Sequence, residues 1–179
     1  MARAQVIVGI GAASGIASMI AATTALYRCW PLGIHTAGLA GRMAFTLQVD
    51  ALAAIPMLLA IIVVANGRFL TEAIDPTLHK ESAAAEINGR VADNTTQQFV
   101  LFVAATLALC PSLSNGELKI VPAAAAVFVV ARFAFWIGYR INPLYRAFGM
   151  AATIYLSLGL LGFALWRAAA GWAAGSFPG

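Results

Sequence analysis

One arginine of this sequence lies inside a long apolar segment. Arg132 lies inside the run 120–137, whose other residues are mostly alanine, valine and phenylalanine. A guanidinium is always charged, so an arginine in such a run needs polar partners, and an ionisable residue inside an apolar helix is a candidate functional residue. Asp93 or Gln97 on a facing helix would be a suitable partner.

Further polar residues recur at helical spacing. Arg90, Asn94 and Gln97 follow one another at i, i+4 and i+7, which places all three on one face of a helix. Tyr139 comes seven residues after the arginine of the apolar run and shares its face. The arginines expected at the same end of the helices are Arg68, Arg90, Arg132 and Arg146.

This convergence of guanidinium groups, with few acids among them, predicts a site for an anionic ligand. Guanidinium groups bind carboxylates in a bidentate manner, and a partly dry site strengthens those bonds. For Arg68, Arg140 and Arg146 taken singly, the alternative is that the side chain extends to lipid phosphates at the membrane surface.

The elements that must position these residues are membrane-spanning helices. Hydrophobic residues make up 61% of the chain and charged residues only 10%, and the mean hydropathy is +0.85. These values exclude an ordinary soluble domain. A bilayer core needs roughly 20 apolar residues per helix. Five stretches qualify: 6–26, 51–70, 96–110, 120–139 and 143–166.

The loops and charges add an orientation to this topology. We interpret the first stretch as a retained span, because its apolar run is longer than a signal-peptide core. Lysine and arginine are more numerous on the side of the N-terminus, which predicts a cytoplasmic N-terminus. The net charge of +4 is spread along the loops and favours membrane surfaces and anionic ligands over nucleic acid.

The connecting segments differ in character. Residues 27–50 are predicted to be an extramembrane or re-entrant connection, and 71–89 a solvated loop. The third span is expected to start before its apolar part, with Ser82 as a possible N-cap. Asn142 and Pro143 are expected to supply the N-cap and the first residue of the last helix.

Small residues and cysteines leave alternatives open. Gly11 and Gly15 form a GxxxG unit, which is either a helix-packing seam or a chance product of an alanine-rich helix. Cys29 and Cys110 fall at helix ends on the predicted non-cytoplasmic side. A disulfide is possible there, but two unpaired cysteines are expected.

The order of these motifs resembles the MAPEG family, the membrane-associated proteins in eicosanoid and glutathione metabolism, over about residues 68–161. Segment 86–102 is similar to the second-helix motif of that family, in which an arginine, an asparagine and an acid precede Leu-Phe. Segment 131–139 resembles the third-helix motif of Ala-Arg followed by two tyrosines, and 142–149 the start of the last helix.

The resemblance implies a fold and an assembly. It implies an all-α membrane protein, with a left-handed four-helix transmembrane bundle in residues 51–179 and an additional N-terminal helix with its connecting loop in 1–50. MAPEG proteins are typically homotrimers that bind glutathione between subunits, open to the cytoplasm. A lipophilic substrate would arrive through the bilayer, here expected to be a bacterial inner membrane with its lipids.

The resemblance also implies residue roles, with glutathione as co-substrate and no metal. Tyr139 would line the site, and Arg146 would stabilise the thiolate of glutathione. A thiol with a pKa of about 8.5 becomes a useful nucleophile beside a guanidinium. The residues expected to hold glutathione are Arg68, Arg90, Asn94, Gln97 and Arg132.

Two departures from the family pattern keep other functions open. Gln97 stands where the family has a glutamate, and Phe135 where it has the first tyrosine. Beside a glutathione-dependent transferase or peroxidase, these changes allow an inactive member that binds another anion or serves a structural role. A small transporter or channel with Arg132 in the ion path is the third hypothesis, although the chain lacks the repeated halves typical of transporters.

Overall fold

The computed structural model describes residues 3–30, 33–69, 71 and 82–175. Every regular element in this part of the chain is helical, so the predicted all-α fold is confirmed. The α-helices are α1 (Arg3–Cys29), α2 (Gly38–Ala53), α3 (Ile55–Phe69), α4 (Ala83–Leu109), α5 (Ile120–Ile141) and α6 (Arg146–Ala173), and a short 3₁₀ helix spans Cys110–Ser112.

These helices form five membrane-spanning segments, as the hydropathy predicted. Helices α2 and α3 together make one apolar segment, Gly38–Phe69, and α1, α4, α5 and α6 supply the others. Each is long and apolar enough to cross a bilayer. The chain is therefore an integral, multi-pass membrane protein.

The prediction of a connecting loop over 27–50 was wrong for its second half, where α2 begins at Gly38. The glycines and polar residues of this segment suggested a loop. In the structure, polar side chains of this segment instead form hydrogen bonds inside the bundle: Arg42 donates to the Leu113 carbonyl oxygen. The hydroxyl group of Thr106 lies 2.9 Å from Oδ2 of Asp50, whose side chain is buried.

The second span is interrupted between α2 and α3. Ala54 separates the two helices, and Pro56 lies at the second position of α3. Proline has no backbone N–H and its ring crowds the preceding turn, which explains why the helix breaks here. The main-chain bonds from Ala54 to Asp50 and from Leu58 to Ala54 keep the two halves in one span.

The ends of the other helices follow local hydrogen bonds. Ser82 caps α4 as predicted, because its side-chain oxygen accepts from the backbone N–H of Ala85 at 3.2 Å. The prediction for α6 was wrong: this helix begins at Arg146. The Asn142 carboxamide oxygen accepts from the N–H of Leu144 at 2.9 Å, so Asn142 closes a turn before the helix.

Helix α6 packs against α1, α4 and α5, and aromatic residues fill the core between α4 and α5. The rings of Phe102 and Phe128 stack with centroids 4.6 Å apart, and both side chains are fully buried. Cys29 is exposed and Cys110 is buried, and both are free, as expected.

Candidate functional site

The start of α4, the end of α5 and the start of α6 meet at one end of the bundle, which we call the site end. Tyr139 belongs to α5 and is 5% exposed. Its ring contacts that of Phe135 edge to face, with centroids 5.8 Å apart. The two aromatic rings, one turn apart on α5, thus form a fixed base for the site.

Arg146, the first residue of α6, reaches back to α5. Its Nη1 donates a hydrogen bond to the Tyr139 hydroxyl at 3.0 Å, and its guanidinium carbon lies 4.9 Å from the centre of the tyrosine ring. Gly138 permits this approach, since a Cβ there would lie 2.9 Å from the Tyr145 carbonyl oxygen. The predicted thiolate-stabilising arginine is thus held beside Tyr139.

Arg90 approaches the same tyrosine from α4. It forms an ion pair with Glu86, one turn earlier, at 2.6 Å, and its side chain is 62% exposed. The guanidinium also interacts with the Tyr139 hydroxyl. Two guanidinium groups, of which Arg146 donates a hydrogen bond, therefore lie near one phenolic hydroxyl. The Glu86 carboxylate neutralises the guanidinium of Arg90. An anion can approach this exposed, positively charged group.

Arg132 is placed differently, because its side chain is only 1% exposed. Its Nη1 donates to Thr153 of α6 at 3.2 Å, and its Nη2 to the carboxamide oxygen of Asn94 at 3.1 Å. The Phe135 ring lies 4.0 Å from its guanidinium carbon, which adds a cation–π contact. Its described partners are therefore groups of the protein itself.

The expectation that Asp93 or Gln97 would pair with Arg132 was wrong. Both residues are exposed, because the side of α4 that faces the core carries Val91, Thr95 and Gln98. Asn94 lies between the two faces and is half-buried. The carboxamide oxygen of Asn94 accepts the hydrogen bond from Arg132. The amide nitrogen of Asn94 is therefore the group that can donate to a ligand.

Comparison with known protein families places most of the chain in one family. The sequence profile of the MAPEG family matches residues 46–166, which is more than half of the chain. The chain belongs to the MAPEG family. The match begins within α2 and ends within α6, so it leaves α1 outside. No curated protein and no solved structure matched the chain.

MAPEG membership places the chain in a membrane family associated with glutathione metabolism. Within the matched segment, the structure brings Arg90, Tyr139 and Arg146 together, and it links Asn94 to Arg132. Gln97 does not join them, because it is exposed on the outer side of α4.

Arg68 lies in a neighbouring cavity of about 400 Å³ between α3 and α4. The cavity is also lined by Arg140 and by the polar residues Ser82 and Asn88. Asn88 in turn accepts a hydrogen bond from the indole N–H of Trp136 at 3.1 Å. The cavity thus places a second pair of arginines at the site end of the MAPEG fold.

Sequence reasoning missed several residues of this region. Glu86 could have been found, because it precedes Arg90 by one helical turn and such pairs commonly interact. Asn88 and Thr153 gave no such signal. Their roles depend on which faces of α4 and α6 are turned towards α5. Among the described residues, no group of three or more His, Cys, Asp or Glu side chains could hold a metal ion.

Proposed function

We propose that this MAPEG protein binds glutathione at the site end and activates its thiol for reaction with lipophilic substrates. The observation that carries the proposal is the hydrogen bond from Arg146 to the Tyr139 hydroxyl, with the exposed guanidinium of Arg90 close by on α4. Glutathione is an anionic peptide with two carboxylates, and its reactive form carries a third negative charge on sulfur. A site of this charge suits both the peptide and its thiolate.

Arg146 would act directly on the reacting sulfur. A guanidinium beside the thiol stabilises the thiolate, and the proton passes to water at this exposed position. In a transferase reaction, a sulfur lone pair forms the new carbon–sulfur bond while the leaving group departs with its bonding electrons. In a peroxidase reaction, two glutathione molecules become a disulfide while a hydroperoxide is reduced to an alcohol and water.

Other residues would hold the peptide. Arg90, with Arg68 in the neighbouring cavity, would bind the carboxylates, and the Asn94 amide nitrogen would donate to the peptide backbone. Arg132 would act through Asn94 by holding its carboxamide oxygen. Gln97 would contact the ligand from the outer side of α4, where it is exposed.

The proposal extends to the assembly and location of the protein. We propose that residues 51–179 form the catalytic unit and 1–50 an accessory segment. The N-terminus and the site would face the cytoplasm of a bacterial inner membrane, where glutathione is present. The exposed side of α4 that carries Arg90 and Gln97 would be covered by a neighbouring subunit in a homotrimer.

The test is glutathione conjugation to a chloronitrobenzene, and reduction of an organic hydroperoxide, by the full chain in detergent. We expect Arg146→Ala to lower kcat by about 100-fold, as the loss of one charge-stabilising donor does in other enzymes. Arg28→Ala is the matched control, because Arg28 is exposed at the far end of α1. Equal turnover by Arg146→Ala and wild type would refute the proposal.

The second candidate is an inactive MAPEG protein that binds an anion without turnover. Phe135 favours it, because this residue carries no hydroxyl at the position of the family's first tyrosine and is buried against Arg132. Saturable glutathione binding without conjugation or hydroperoxide reduction would support this candidate over the enzyme.

A further inference from the structure

Helix α1, which lies outside the MAPEG match, packs on α6 next to the proposed site. Gly15 of α1 lies directly against the backbone of Phe148. A Cβ at Gly15 would overlap the Phe148 carbonyl oxygen and lie 3.0 Å from its carbonyl carbon. At Gly11, one turn earlier, a Cβ would lie 3.3 Å from that of Ala147. The GxxxG unit is therefore a packing seam on the first turn of α6.

The other side of this turn is held by α5. Gly149 faces the backbone of Ala131 and Phe135 so closely that a Cβ would overlap both. Gly138 of α5 is also in contact with the backbone of Tyr145, the residue before α6, where a Cβ would lie 2.9 Å from the carbonyl oxygen. The start of α6 is thus packed between α1 and α5 through contacts to its main chain. Unlike a side chain, the main chain cannot rotate away from such a contact.

This turn of α6 begins with Arg146. The hydrogen bond from Arg146 to the Tyr139 hydroxyl, at 3.0 Å, joins a residue of α6 to a residue of α5. A shift of the α6 backbone therefore moves the guanidinium relative to Tyr139. Displacements of about 1 Å in a catalytic group can cost up to 100-fold in rate.

We propose that α1 positions Arg146, with Gly15 as the positioning residue. The proposal rests on the proposed thiol activation and extends it to a helix outside the MAPEG match. The contrast within α1 supports it: Gly15 is in contact with the Phe148 carbonyl, whereas a Cβ added at Gly9 would have no atom within 4 Å.

The test compares Gly15→Leu with Gly9→Leu in the full chain. In Gly15→Leu we expect kcat for conjugation to fall about 10-fold or more, while KM for glutathione changes less than about 3-fold. The acidic limb of the kcat profile should move to higher pH, because a displaced Arg146 stabilises the thiolate less. Gly9→Leu should match wild type.

Two results would overturn the proposal. One is wild-type kcat and pH profile in Gly15→Leu. The other is a fall in kcat with an unmoved acidic limb, which would indicate loss of structure alone. If Gly15→Leu does not fold, Gly15→Ala and Gly11→Ala are tested by the same criteria. In these variants we expect a smaller fall in kcat and a smaller move of the acidic limb to higher pH.

Hydrogen exchange separates this proposal from the proposed function. In Gly15→Leu, the amides of residues 147–152 should exchange faster than in Gly9→Leu, whether or not glutathione reacts. Unchanged exchange would refute the positioning role of α1. Faster exchange in a protein without thiol chemistry would instead mean that α1 does fix the start of α6, while the proposed function is wrong.

Discussion

Burial divides the arginines of the site into two kinds. Arg90 has an exposed side chain and Arg146 is an exposed residue, so both can meet a ligand. Arg132 is buried, and its two Nη groups donate to Asn94 and Thr153. A buried guanidinium depends on acceptors from the protein, and here they reach both Nη groups while the buried Nε has no hydrogen-bond partner among the described residues. Under the proposed function, Arg132 would therefore contribute to binding by fixing the Asn94 carboxamide.

This division predicts that Arg132 and Asn94 act as a unit. Arg132→Met should weaken glutathione binding about 3- to 10-fold, the value of one oriented hydrogen bond. Asn94→Ala should have a similar effect, and the double variant should lose little more than either alone, because each change removes the same interaction. The measurement is calorimetric titration of the three variants. Losses that add in the double variant would contradict the coupling.

Among the elements, α2 departs most from the prediction. Its polar residues suggested a loop, yet they bind across the bundle to α4 and to the chain after Cys110. A pattern of single polar residues in an apolar segment does not distinguish a loop from a buried helix whose partners lie far along the chain. Asp50 and Thr106 are 56 residues apart, a pairing that requires tertiary structure.

The contact between α2 and α4 should be measurable through Thr106. Thr106→Val keeps the shape of the side chain but leaves Asp50 without this hydroxyl, so we expect the free energy of unfolding to fall by about 1–3 kcal/mol. Thr46→Val is the matched control, because this buried hydroxyl bonds to the Arg42 carbonyl of its own helix. Equal stability of both variants in detergent unfolding would contradict the role of Thr106.

Glu117 lies outside the membrane-spanning segments, in the turn between the 3₁₀ helix and α5, and it forms an ion pair with Arg167 of α6. The backbone N–H of Ser114 is the main cause that holds the pKa of Glu117 below its ordinary value of 4.5, and Arg167 adds to the effect. Arg167 Nη1 lies 3.0 Å from Glu117 Oε1. Because the pKa of Glu117 is lower in the folded state than in the unfolded chain, the ionised Glu117 carboxylate stabilises the fold above about pH 4.5. This stabilisation is lost as the pH falls below that value.

Glu117→Gln should therefore remove part of the acid sensitivity of the fold. Between about pH 6 and pH 3, the thermal midpoint of wild type should fall about 1–3 °C more than that of Glu117→Gln. The measurement is thermal unfolding at a series of pH values in one detergent. Parallel curves for the two proteins would show that Glu117 does not contribute in this way.

For the molecule as a whole, the sequence was sufficient for the number of spans and for the end at which the arginines gather. Hydropathy and helix length determine both. The relative rotation of the helices was not predictable, since it depends on which small residues let backbones meet. That rotation decided that Asn94 rather than Asp93 faces Arg132, and that Arg68 and Arg140 line the same cavity.

Under the proposed function, the site end of this MAPEG protein holds glutathione between Arg90, Tyr139 and Arg146. Calorimetric titration of glutathione into the purified full chain tests it most directly. We predict saturable binding by wild type and Arg28→Ala, and binding at least about 10-fold weaker in Arg90→Ala, because a charge-assisted hydrogen bond is lost. No binding up to millimolar glutathione, or equal binding by Arg90→Ala, would contradict the claim.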